Sequence, residues 1–123
     1  MPILGIGTDI VEIKRVEEIA RRTQRFCARV FRPSEIAYCN SRGKSRYASL
    51  AARFAAKEAV AKALGRPLSW QDVEVVTLAD GRPIVKLHGP AQQLAQKLRV
   101  HISLAHSKDY AHAVAVVEVD ENQ

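Results

Sequence analysis

Glu58 and Lys62 stand four residues apart in the run Arg53-Phe54-Ala55-Ala56-Lys57-Glu58-Ala59-Val60-Ala61-Lys62-Ala63-Leu64-Gly65. That spacing sets both side chains on one face of a helix. Small alanine side chains surround them and leave room for a second backbone or a flat ligand. A carboxylate beside an ammonium in such a setting suits a metal ion and a phosphate bound side by side. A second carboxylate, Asp9, lies in the apolar run Ile3-Leu4-Gly5-Ile6-Gly7-Thr8-Asp9-Ile10-Val11, where burial without a partner is expensive. Two carboxylates from separate elements can hold one Mg²⁺ and leave its other positions to water and phosphate oxygens. Lys62 would neutralise charge on the same phosphates, and Lys57 and Arg53 add positive charge nearby. His106, after Ile102-Ser103-Leu104-Ala105, could hydrogen-bond a ligand or stack on a base; His88, His101 and His112 have no acid or metal-like spacing beside them.

A further group is basic. Arg15, Arg22, Arg25 and Arg29 recur at helical spacing with Phe26 among them. Such a stripe can dock an acidic helix or phosphates, or simply face water. Phe26 either lies exposed beside it or turns into the core.

The elements that must position these groups are readable from periodicity and punctuation. Residues 3–11 read as a buried strand. Ile13, Val16, Ile19 and Ala20 recur as on a helix, Arg25 to Val30 forms a second short helical piece, and Pro33 opens a third through Glu35 and Tyr38. Asn40 to Arg46 is a polar, basic loop. The alanine-rich helix runs from about Tyr47 to Leu64 and stops at Gly65, a good residue for a left-handed helix end. Trp70 to Leu78 and Arg82 to His88 are strands joined at Asp80-Gly81, a hairpin signal. Gly89-Pro90 starts a helix through Leu94 and Leu98, and Val100 to Ala105 and Tyr110 to Val119 close the chain as strands. The expected class is α+β, an antiparallel sheet wrapped around or packed on the long helix with further short helices.

The chain has 123 residues, 47% apolar and 26% charged, which suits one domain over 1–123 with a real core. No apolar run is long enough to span a bilayer, and no secretory leader is visible, so a cytoplasmic location is expected. Cys27 and Cys39 lack zinc-ligand spacing and read as free thiols. The net charge of +6 favours an anionic partner. A basic nucleic-acid module would share that charge. However, the aromatic content is only 6% and lacks an interleaved basic–aromatic strand, and no helix-turn-helix or zinc pattern is present.

Gly5 to Ile13, Arg53 to Ala59 with Lys62 to Gly65, Trp70 to Val75, Ser103 to His106, and Tyr110-Ala111 occur in an order that resembles the bacterial holo-(acyl-carrier-protein) synthases, small 4′-phosphopantetheinyl transferases. The likeness covers nearly the whole chain. It implies transfer of 4′-phosphopantetheine from coenzyme A to a serine of apo acyl carrier protein, with release of adenosine 3′,5′-bisphosphate, in support of fatty acid biosynthesis. By resemblance Asp9 and Glu58 bind Mg²⁺ and, with Lys62, form the catalytic group. Lys44, Arg46, Arg53, Lys62, Gly65 and His106 lie at the coenzyme, and Arg15, Arg22, Arg25, Phe26 and Arg29 dock the carrier protein. It also implies a homotrimer with active sites between subunits. The serine must lose a proton, and Asp9, Glu58 or a metal-bound water could accept it. The chain departs from the family pattern in a shortened segment after Gly65, Arg66-Pro67-Leu68-Ser69, and in Ala105, where a hydroxyl residue is common.

Overall fold

The computed structural model describes residues 2–120. Strand β1 (Ile3–Glu12) leads into three short helices, α1 (Ile13–Arg22), α2 (Gln24–Val30) and α3 (Pro33–Asn40), and then into the long helix α4 (Arg46–Leu64). Two hairpin strands, β2 (Val73–Thr77) and β3 (Pro83–Leu87), are followed by β4 (Leu98–His106) and β5 (Tyr110–Val119). The strands form an antiparallel three-stranded sheet of order β1-β5-β4 and a separate two-stranded sheet, β2-β3. Both pack on α4, as expected from the sequence.

Close packing of β1 on α4 depends on two glycines. A Cβ on Gly5 would collide with the Ala63 carbonyl oxygen, and one on Gly7 with that of Ala59. Alternate residues of a strand face one side, so Gly5, Gly7 and Asp9 face the helix while Leu4, Ile6, Thr8 and Ile10 face away. The helix answers with Ala55, Ala56, Ala59 and Ala63, all buried against Ala113, Ala115 and Val117 of β5. A second apolar cluster joins Val16, Val30, Phe31 and Cys39 to Leu50 and Ala51 near the start of α4. Gly65 ends α4 with φ of 70°, its N–H donating to Ala61 O at 2.9 Å, the left-handed finish expected of that residue.

Two expectations need correction. Trp70–Asp72 forms a 3₁₀ turn and the strand starts only at Val73, because the Trp70 carbonyl is held by a buried lysine (below) and so leaves the ladder. The helix expected from Gly89 ends at Gln96 and winds as 3₁₀, and Leu98 already belongs to β4. Its inward residues, Ala91 and Leu94, are three apart, the repeat of a 3₁₀ helix. Among the described residues no helix is long and apolar enough to cross a membrane. Cys27 is half-buried and Cys39 buried, both as free thiols.

Candidate active site

The close approach of β1 to α4 brings Asp9 to Lys62. The Lys62 Nζ lies 3.4 Å from Asp9 Oδ1 and donates to the Thr8 carbonyl at 3.0 Å. The two side chains are 56% and 21% exposed, so water competes with the pair and its worth to stability is at most about 1 kcal/mol. Glu58 stands one turn earlier on α4, half-buried, and forms no ion pair or hydrogen bond among the described residues. It borders a cavity of about 210 Å³ shared with Lys57, Ala61 and the segment Pro67 to Trp70. Asp9 and Glu58 offer hard oxygen donors, and Lys62, in contact with Asp9, offers a counter-charge for anions. Among the described residues no group of three or more His, Cys, Asp or Glu converges. A hard divalent cation here would draw its remaining ligands from water and from substrate oxygens, as Mg²⁺ commonly does.

A second concavity, of about 590 Å³, opens between the start of α4, the β2-β3 hairpin and β4. Arg42, Arg53, Arg82 and His106 line it. Arg53 is buried; its Nη1 donates to Ser49 Oγ at 2.9 Å and its Nη2 to Thr77 Oγ1 at 2.6 Å. Its guanidinium lies 4.4 Å from the Tyr38 ring centroid. The Arg53 Nε has no partner among the described residues, an unmet donor in a cleft of like charges. Three guanidinium groups around one hollow make an anion site. Lys44 is exposed in the turn Gly43–Ser45, and Arg46 lies over the Tyr47 ring at 4.7 Å. Both sit beside Arg42 and Ser45 at the cleft's rim rather than on its walls. Sequence reasoning did not single out Arg42 or Arg82. Arg42 was one charge within a basic loop, and Arg82 reaches the cleft only because the Asp80-Gly81 turn folds the hairpin back.

The two halves of the expected site therefore stand apart within one chain. Arg53 and Lys62 are nine positions apart on α4, about 13 Å along its axis. Asp9 lies on β1 and His106 on β4, opposite edges of the three-stranded sheet.

Lys57 is not a further phosphate ligand. It points into the core, where its Nζ bonds Glu35 Oε1 at 2.9 Å, Trp70 O at 3.0 Å and Val73 O. Burial outweighs the Glu35 charge and pushes its pKa below the ordinary lysine value. Arg15, Arg22, Arg25 and Arg29 are exposed and form no ion pair among the described residues. Phe26 is half-buried, 6.1 Å edge-on from Phe31 and 6.2 Å from Phe54, so it anchors the stripe to the core as well as bordering it.

Residues 5–115 match the model of the 4′-phosphopantetheinyl transferase superfamily. A holo-(acyl-carrier-protein) synthase of Moorella thermoacetica is 52% identical over 122 residues, covering 94% of each chain. The Bacillus anthracis enzyme, solved in complex with CoA (3′,5′-ADP), superposes with a TM-score of 0.82 at 33% identity over 96% of this chain and 98% of that one. The Helicobacter pylori enzyme in complex with coenzyme A gives 0.80 at 32% identity over 92% and 99%. The helix-borne Glu58 and Lys62, the strand-borne Asp9 and the arginine-lined cleft thus sit in a chain that belongs to the 4′-phosphopantetheinyl transferase superfamily, as an enzyme of the holo-(acyl-carrier-protein) synthase group.

Proposed function

We propose that the protein transfers 4′-phosphopantetheine from coenzyme A to a serine of apo acyl carrier protein, with Mg²⁺, releasing adenosine 3′,5′-bisphosphate. The contact of Asp9 with Lys62, one helical turn from Glu58 on α4, carries this reading. Asp9 and Glu58 would hold the Mg²⁺, which when bound supplies positive charge at the pyrophosphate. The Lys62 ammonium, kept in place by the Thr8 carbonyl, stabilises negative charge that grows on the phosphoryl oxygens as the serine attacks. Asp9 and Glu58 are also the carboxylates this chain offers to the serine proton. Arg53, with Lys44, Arg46 and His106 near it, would hold the remaining phosphate and the nucleotide end of coenzyme A, and Gly65 ends the helix beside the pyrophosphate. The exposed arginines Arg15, Arg22, Arg25 and Arg29, with Phe26, would capture an acidic carrier protein.

The molecule would act as a homotrimer with its sites between subunits. The face of the three-stranded sheet turned away from α4 exposes Leu4 by 60%, Ile6 by 64% and Ile10 by 64%, a patch that a second copy would cover. Assembly would also bring the β4-edge cleft of one copy to the β1-edge carboxylates of the next, and so reunite the halves that a single chain keeps apart. A cytoplasmic role in fatty acid biosynthesis follows from that chemistry. Incubation with coenzyme A, Mg²⁺ and apo carrier protein should add phosphopantetheine to the carrier, read by intact mass. Chelation of the metal should stop it, and sedimentation should give three copies. Unchanged carrier mass with Mg²⁺ present would overturn the activity, and a monomer would overturn the shared site.

A further inference from the structure

Outside the exposed site, a buried polar cluster centres on the pair Glu35–Lys57, whose side chains are 0% and 1% exposed. Glu35 Oε1 accepts the Arg32 N–H at 2.8 Å as well as the lysine, and Oε2 accepts the Val75 N–H at 2.9 Å. Lys57 donates to the carbonyls of Trp70 and Val73, which bracket the 3₁₀ turn. One ion pair thus ties α3, α4, the turn and β2. A buried pair of this kind contributes little net stability over an apolar replacement, so its retention invites a second explanation.

The segment it anchors supplies it. Pro67 to Trp70 forms the wall of the 210 Å³ cavity that Glu58 borders, and Trp70 is stacked on Phe54 at 5.0 Å. Since the Glu58 carboxylate has no bonded partner among the described residues, its direction is set by the surfaces around it.

We propose that Glu35 and Lys57 are positioning residues for the transfer reaction: by fixing the Trp70–Val73 segment they set the wall opposite Glu58, and with it the orientation in which Glu58 meets the cation and coenzyme A. The proposal rests on the Mg²⁺-dependent reading above. Neither residue touches substrate; both act through the wall.

The double variant Glu35→Gln/Lys57→Met removes both charges together and so leaves no buried ion unpaired, but it leaves the Trp70 and Val73 carbonyls without their donor. Trp70 is the chain's one tryptophan, and its emission reports on the wall directly. In the wild type, Mg²⁺ added to protein and coenzyme A without carrier should change that emission. In the folded variant the Mg²⁺ concentration for half the change should rise by about tenfold, the size typical of losing a supporting partner behind a metal ligand. The kcat should fall by about as much, with KM for carrier protein unaltered, because the arginine stripe is untouched. Lys57→Arg, which keeps the charge but moves the donor, carries the same readings if the double variant does not fold. A folded variant with wild-type Mg²⁺ response and kcat would overturn the proposal. Absence of transfer by the wild type would instead overturn the function on which it rests.

Discussion

Helix α4 carries two lysines five positions apart, each beside a carboxylate, with opposite fates. Lys57 and Glu35 are sealed from water, 1% and 0% exposed, and every polar atom of the pair has a backbone or ionic partner. Lys62 and Asp9 are 56% and 21% exposed, joined by one long contact of 3.4 Å. The first pair cannot be offered to a ligand without breaking the ties among α3, α4, the 3₁₀ turn and β2. The second can release its ammonium and carboxylate to phosphate and metal at little cost, because its Coulomb energy is already screened. The same two functional groups hold the fold at one turn and are free for chemistry at the next, and burial separates the two uses.

The strongest way to break this comparison is to remove each lysine in turn. Lys57→Met should cost about 3–5 kcal/mol of folding stability by leaving Glu35 buried and unpaired, measured by denaturant unfolding. Lys62→Met should change stability by less than about 1 kcal/mol while lowering kcat by roughly 10²-fold or more, the scale of losing one charge-stabilising donor. Equal destabilisation by both would erase the distinction. Asp9→Asn should follow Lys62, with transfer lost and the unfolding midpoint nearly kept, as compared by intact mass and thermal melts.

A smaller effect concerns the exposed extreme, the unpaired arginines. Arg15→Glu with Arg22→Glu should raise KM for carrier protein by roughly tenfold at low salt, with coenzyme binding unchanged and the gap closing as salt is added. Loss of both bindings together would point to a folding defect.

The smallest effect belongs to an intermediate pair. His88 Nε2 lies 2.7 Å from Glu74 Oε1, with side chains 21% and 12% exposed, and Ser34 Oγ donates to Glu74 Oε2 at 2.5 Å. Burial alone would raise the Glu74 pKa, but the Ser34 and His88 hydrogen bonds outweigh it and hold the carboxyl below its ordinary 4.5. The unfolded chain therefore binds the proton first as pH falls. The stabilisation is present above pH 4.5 and is lost as pH drops through the lower folded value. Unfolding midpoints of wild type and Glu74→Gln should converge over that acid range; a gap independent of pH would exclude the linkage.

Much of the fold was legible because its signals are local. An apolar run rich in β-branched residues marked β1, Gly65 marked the end of α4, and Asp80-Gly81 marked the hairpin. The start of the strand at Trp70 and the extent of the helix after Gly89 were not legible, because Trp70 and Ala91 take their geometry from distant partners. Asp9, Glu58 and Lys62 stood out by residue type and helical spacing, whereas the direct contact of Asp9 with Lys62 comes from the close approach of β1 to α4. The cleft arginines Arg42 and Arg82 were not, since they meet only across a folded hairpin.

Periodicity, glycine placement and the four-residue spacing of Glu58 and Lys62 are properties of the chain itself, fixed by helix and strand geometry whatever surrounds them. Which of the α4 lysines turns inward is not. A helix this rich in alanine has no broad apolar stripe to set its rotation, so its phase is chosen by what packs on it: two glycines of β1 on one side and the Glu35 carboxylate on another. That choice, made only when the elements assemble, buries Lys57 as a brace and leaves Lys62 at the surface beside Asp9.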